Sequence, residues 1–229
     1  MLAALLPTLA AVGAAWWSMR TGLVPSCNPF FEGCVSISRA ARHDLANHWF
    51  RALMLPAATL QGVVWIVAAR WLRGLPIERA RGERWIAPLG VMAAIALVLY
   101  ATFLGTEGPI YRLLRQYGTT VYFGFTCICL LLAGGAVRRA AAAGVLPLKP
   151  ALARSVLVLG AALVTLGIVN TLVAHAFGEP LKGRVENASE WWGSAIFVLG
   201  FAALALMWRR VGLAATLGAA PRASRLPGR

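Results

Sequence analysis

Residues 85–105 read WIAPLGVMAAIALVLYATFLG, an unbroken apolar run without Asp, Glu, Lys or Arg. An α-helix rises about 1.5 Å per residue, so a run of this length crosses a hydrocarbon core about 30 Å thick. The run is continuous and does not alternate, which excludes a barrel strand. Working outward from it, comparable stretches occupy about residues 2–19, 49–71, 119–137, 152–175 and 191–208. Trp16, Trp17, Trp49, Trp71, Trp85, Trp191, Trp192 and Trp208 fall at the ends of these stretches, as interfacial aromatic anchors do. The reading is all-α: a polytopic bundle of six transmembrane helices over residues 1–213, followed by a disordered basic cytoplasmic tail over 214–229. No linker is long enough to separate two domains, and no repeat of fixed period is present.

Composition agrees with that reading. Hydrophobic residues make up 59% of the 229 and charged residues 13%, with a mean hydropathy of +0.70. A soluble domain is about half apolar and a quarter charged, so a soluble enzyme is excluded. The net charge of +14 suggests nucleic acid on a polar chain. Here the basic residues sit in the gaps between apolar runs, and nucleic acid is not a partner.

Those gaps set the orientation. Arg70, Arg73, Arg79, Arg81 and Arg84 share one side with Arg138, Arg139, Lys149, Arg154, Arg209, Arg210, Arg222, Arg225 and Arg229, fourteen of the 22 basic residues. Positive-inside bias puts that side, and both termini, in the cytoplasm. Only Lys149 and Lys182 are lysines, and Ala, Leu and Gly are abundant. That bias reads as a GC-rich bacterial genome, so the location is the cytoplasmic (inner) membrane and the opposite face is periplasmic. The first stretch holds Ala-Val-Gly-Ala-Ala at 11–15, which resembles a signal-peptide cleavage site. Its length and its Trp16-Trp17 anchor favour a retained helix.

Cys27 and Cys34 bracket six residues of the first outer loop. On an oxidising side such a pair reads as a disulfide, since zinc needs two further ligands. Cys127 and Cys129 point about 200° apart on one helix and read as packing residues.

Polar chemistry gathers on the same outer side. The segment from Ser36 to Arg51 reads as one amphipathic helix leading into the second span. Asp44, His48 and Arg51 share one stripe, and Ser36, His43 and Asn47 the adjoining one. Two readings stand side by side. In one, His48 bonds Asp44 and the helix end is solvated and internally paired. In the other, Arg51 and His48 hold an anionic lipid headgroup, with Glu190 and His175 shaping the pocket and Glu107 near its mouth. Glu190 also reads as an N-terminal cap of the sixth helix. His43, His48 and His175 lack the H-E-x-x-H spacing of a zinc hydrolase, so no metal is expected, and no cofactor fingerprint appears. His48, Asp44 and Glu190 are the candidate catalytic groups if the protein is a lipid acyltransferase or hydrolase. Gly160 with Gly167, and Gly193 with Gly200, mark close-packing faces, and a scaffold for membrane-protein partners or a homo-oligomer is the remaining alternative. No Asp, Glu, Lys or Arg lies mid-span, which disfavours an ion-coupled transporter.

Cys27, the Ser36-Ile37-Ser38 motif, Phe50-Arg51 entering the second span and Glu190-Trp191 opening the sixth together resemble the DRAM/Frag/Sfk family. That family contains autophagy modulators and lipid-remodelling factors for GPI anchors. The resemblance spans nearly the whole chain and implies a six-span fold and a lipid-facing role. It carries functional weight onto Cys27, Ser36, Ser38, Arg51, Glu190 and Trp191. Val35 stands where those relatives often have proline.

Overall fold

The computed structural model describes residues 1–213, so the basic tail expected at 214–229 lies outside the described residues. Six helices are long and apolar enough to cross a membrane: α1 (Leu2–Arg20), α4 (Asp44–Gly74), α5 (Ile86–Phe103), α6 (Pro109–Ala142), α7 (Pro150–Ala176) and α8 (Leu181–Val211). Two single-turn helices, α2 (Pro29–Glu32) and α3 (Ile37–Ala40), lie in the connection between α1 and α4. A 3₁₀ turn over Arg81–Trp85 leads into α5. Each long helix packs against the next, and α8 closes the ring against α1. The chain therefore runs up and down six times. The described chain starts and finishes on the side of the bundle away from the Cys27–Cys34 loop, called here the terminal end. The Cys27–Cys34 loop lies at the other, the disulfide end.

In a bilayer the lipid tails are as apolar as the helices, so helix association rests on close packing and on internal hydrogen bonds. Small residues supply the packing. Ala3, Ala4, Ala10, Ala11, Ala14, Ala15 and Ser18 form the buried face of α1. Gly134 of α6 sits against the backbone of Leu157 in α7. A Cβ on Gly160 would meet the side chain of Leu131 at 2.9 Å, and one on Gly200 would meet Leu130 at 2.9 Å. Gly167 departs from the close-packing face read from sequence. A Cβ there would meet nothing within 4 Å. Hydrogen bonding at mid-depth comes from Gln61, whose amide donates to the Ala3 carbonyl at 3.2 Å and accepts from the Tyr122 hydroxyl at 3.0 Å. One side chain thus ties α1, α4 and α6 together. At the terminal end Arg139 pairs with the buried Glu83, which also accepts the Ala80 backbone N–H at 3.2 Å.

Three helices begin well before the apolar runs that announced them. α4 starts at Asp44, α6 at Pro109 and α8 at Leu181. Hydropathy marks only what faces hydrocarbon, whereas the helical hydrogen-bond ladder continues into the aqueous rim. Glu190 consequently lies more than two turns inside α8 and is no cap of its N-terminus. The segment from Ser36 to Arg51 is likewise not one helix. It breaks between α3 and α4, and Asp44 takes a left-handed backbone conformation at φ +54°. Asp is among the few residues with a side chain that tolerate this region.

α7 packs least. Its buried residues are Ala153, Val156, Gly160 and Leu163, all in its first half. From residue 164 to the disulfide end no residue of α7 is buried. A groove lies there between α7 and its neighbours α6 and α8.

Candidate functional site

The loop between α1 and α4 folds over the disulfide end of α8. Cys27 and Cys34 are joined as a disulfide. Between them Asn28 starts the α2 turn by accepting the Phe30 N–H at 3.1 Å, and Glu32 accepts the Asn28 N–H at 2.6 Å. Gly33, at φ +58°, lets the chain pass against the carbonyl of Arg184, where a Cβ has no room. Three α8 side chains then donate to loop carbonyls: Asn187 to Gly33 at 2.8 Å, Trp191 to Val35 at 2.9 Å and Trp192 to Phe30 at 3.0 Å. The Phe30 ring packs against both indoles, with centroids 5.4 and 5.3 Å away. Carbonyls that a loop at the membrane surface leaves open are thereby satisfied. From the α1 side, Ser18 donates to the Ala40 carbonyl at 2.6 Å. Asn47, at the start of α4, donates to the carbonyls of Ala41 at 3.0 Å and Leu104 at 2.9 Å.

The Ser-Ile-Ser motif has a local physical reading. Ser36 is the N-cap of α3, its hydroxyl accepting the Arg39 N–H at 3.2 Å and lying 3.1 Å from the Ser38 hydroxyl. Ile37 is buried and helps line a central cavity. The Ser38 N–H, another open donor of the first turn, is taken by the Glu190 carboxylate at 3.2 Å. Ser36, Ser38, Glu190 and Trp191 are thus brought together, although 152 residues separate Ser38 from Glu190.

Three cavities meet at Glu190. A mouth of about 430 Å3 at the disulfide end is lined by Ser38, Arg42, Tyr100, Arg112, Arg115 and Glu190, among others. Below it an apolar central cavity of about 110 Å3 lies among α1, α4, α5, α6 and α8, with Gln61 and Tyr122 in its wall. To the side, a groove of about 440 Å3 lies between α6, α7 and α8. Glu190 and Thr119 line all three, and Tyr100 lines the mouth and the central cavity.

The mouth is cationic. Arg42 stands in the turn before α4, and Arg112 and Arg115 lie one turn apart on α6. Arg115 donates to the carbonyls of Phe103, at 3.0 Å, and Thr106, holding it at the end of α5. Among the described residues, none of the three arginines forms an ion pair with a carboxylate; the ion pairs are Arg139 with Glu83 and Lys182 with Glu186. Glu190 is the sole acidic residue in the lining of the mouth. Three guanidinium groups and one carboxylate leave a concave surface prepared for an anion.

Other residues singled out from sequence lie elsewhere. The ring of His48 is exposed and bonds the backbone carbonyl of Asp44 at 3.0 Å, not its carboxylate. His175 is exposed and bonds the Thr171 carbonyl at 2.8 Å. Arg51 is half-buried and lines none of the three cavities; the cation that faces Glu190 is Arg42. Asn47 is a structural clamp and no partner of Arg51. Glu107 is exposed on the turn before α6. Among the described residues, no group of three His, Cys, Asp or Glu side chains is arranged to hold a metal.

No family model, no curated protein and no solved structure matches this chain. The site must therefore be read from its own geometry.

Arg42, Arg112 and Arg115 were not among the residues that sequence reasoning favoured. A signal for two of them was present. Arg112, Arg115, Gln116 and Thr119 recur at helical spacing and share one face, and all four line the mouth. Reading the fourth span as starting at 119 cut that stripe off.

Proposed function

We propose that this protein is a multi-pass protein of the bacterial cytoplasmic membrane that binds the anionic headgroup of a membrane lipid at its periplasmic face. The observation that carries the reading is the junction at Glu190, where a mouth with three arginines shares wall residues with apolar space inside the bundle. Cationic donors beside an apolar cavity complement an amphiphile with a negative head. Neither half alone does so. The excess of arginine around the terminal end supports a cytoplasmic position for that end, which turns the mouth to the periplasm. The resemblance of the Cys27, Ser36-Ser38 and Glu190-Trp191 motifs to the DRAM/Frag/Sfk family is in keeping with a lipid-facing role.

The enzyme alternative, an acyltransferase or hydrolase using His48, Asp44 and Glu190, has less support. Of those three only Glu190 lines the cavities, and His48 engages the backbone of Asp44. A base oriented by a carboxylate is missing from that arrangement.

The test uses purified full-length protein in phosphatidylcholine nanodiscs titrated with phosphatidic acid. Arg42→Ala/Arg112→Ala removes two charge-assisted contacts and weakens binding by at least about tenfold. The wild-type affinity falls with added salt, as phosphate contacts do. Affinity unchanged by the double substitution rejects the reading. Recovered lipid is chemically intact if the protein binds; a cleaved or added chain establishes the enzyme instead.

A further inference from the structure

Building on the headgroup reading above, we propose that the groove between α6, α7 and α8 is the acyl-chain site for the same lipid, which enters sideways from the bilayer past the loosely packed half of α7.

The groove has the polarity of a lipid, polar at one end and apolar beyond it. At the disulfide end its wall contains Asn170, Glu186, Ser189 and Glu190; deeper in, it contains Phe123, Leu163, Leu166 and Phe197. Its polar end shares Glu190 and Thr119 with the wall of the arginine mouth. At about 440 Å3 it lies within the range of ligand pockets. The central cavity, at about 110 Å3, is smaller than the cavity of about 150 Å3 that admits a benzene ring, so it is no home for a chain.

Two further features fit a groove that is occupied. Gly124 and Gly167 line it from facing helices, and a Cβ on either would meet nothing within 4 Å. Glycine in a helix interior is less favourable than alanine by about 1 kcal/mol. At Gly134 and Gly160 it brings neighbouring helices together; at these two positions in the groove it keeps space open. The second feature is the amide oxygen of Asn170, which is buried without a hydrogen-bond partner among the described residues. An unmet acceptor at membrane depth is costly.

The experiment compares phosphatidic acid with glycerol phosphate, which shares the headgroup chemistry but has no chain. Gly124→Leu and Gly167→Leu project into open space, so the fold tolerates them, and each fills part of the groove. We expect each to weaken phosphatidic acid about tenfold, the effect of displacing a few buried methylenes, with glycerol phosphate binding unchanged. Retained glycerol phosphate binding doubles as the check on folding. In the unaltered chain, phosphatidic acid with a diazirine in mid-chain should crosslink to α6, α7 and α8 along the groove. Excess unlabelled phosphatidic acid should compete; phosphatidylcholine should not. Crosslinks spread around the bundle without competition overturn the chain site, as does full phosphatidic acid affinity in both leucine variants. Those outcomes leave the headgroup reading intact. Loss of neither ligand in Arg42→Ala/Arg112→Ala rejects the headgroup reading instead.

Discussion

Glu190 accepts the backbone N–H of Ser38 with one carboxylate oxygen at 3.2 Å and stands in the wall of a mouth that also holds Arg42, Arg112 and Arg115. Its two roles separate by substitution. In Glu190→Gln the amide oxygen still accepts from Ser38, so the loop stays docked while a negative charge leaves the anion site. Relief of up to about 1 kcal/mol of repulsion strengthens phosphatidic acid binding by no more than about fivefold. Binding that weakens instead shows the carboxylate to be a direct ligand group and sinks this account of the residue. Glu190→Ala removes the acceptor too, leaving a half-buried N–H open at a cost of about 1 kcal/mol, read as a lower unfolding temperature. Trp191→Phe keeps the aromatic body against Phe30 and loses the donation to Val35, which costs about 1 kcal/mol by the same measurement. Ser36, Ser38, Glu190 and Trp191 were legible in sequence because short motifs carried them. Arg51 and His48 do share one helix, α4, with Asp44, as a helical wheel has it. A wheel says which residues share a face and not what that face meets, and neither residue lines the three cavities.

Among the elements, α7 is the informative one. It is as apolar as any helix here, yet its last fully buried residue is Leu163. Hydropathy reports that a helix is compatible with hydrocarbon, and it is silent on whether lipid or protein lies alongside. The glycine spacing in α7 has the same ambiguity. Gly160 and Gly167 are two turns apart on one face, but only Gly160 is pressed against a neighbour, Leu131. The two positions therefore respond oppositely to one added methyl. Gly160→Ala and Gly134→Ala force α6 and α7 apart and destabilise the detergent-solubilised protein by about 1–3 kcal/mol. Gly167→Ala leaves stability unchanged or raises it, through helix propensity, by up to about 1 kcal/mol. Equal losses at Gly160 and Gly167 mean that α7 packs along its whole length and that no groove exists. Sequence spacing alone was unable to separate these glycines, because both lie on the same stripe.

At the scale of the whole molecule, the six apolar runs gave number, order and approximate length of the spans, because a bilayer admits few structures other than helices satisfied from within. The ring closure of α8 on α1 and the convergence of three cavities at Glu190 were not legible, since they depend on how helices rotate against one another. Sidedness rests on the arginine distribution, and it yields a test with a built-in quiet background. Cys27 and Cys34 are joined, Cys129 is buried and Cys127 lies half-buried inside a span, so an impermeant maleimide finds little to label in the native chain. His43 and Glu78 are exposed at opposite ends of α4, and thiols introduced there report one end each. In right-side-out vesicles His43→Cys is labelled directly, whereas Glu78→Cys is labelled only after permeabilisation. The reverse pattern puts the arginine mouth in the cytosol. It also sets the Cys27–Cys34 pair in a reducing compartment, where such a bridge does not persist. The two consequences are linked, so the oxidation state of that pair in cells and the labelling of His43→Cys must give the same answer.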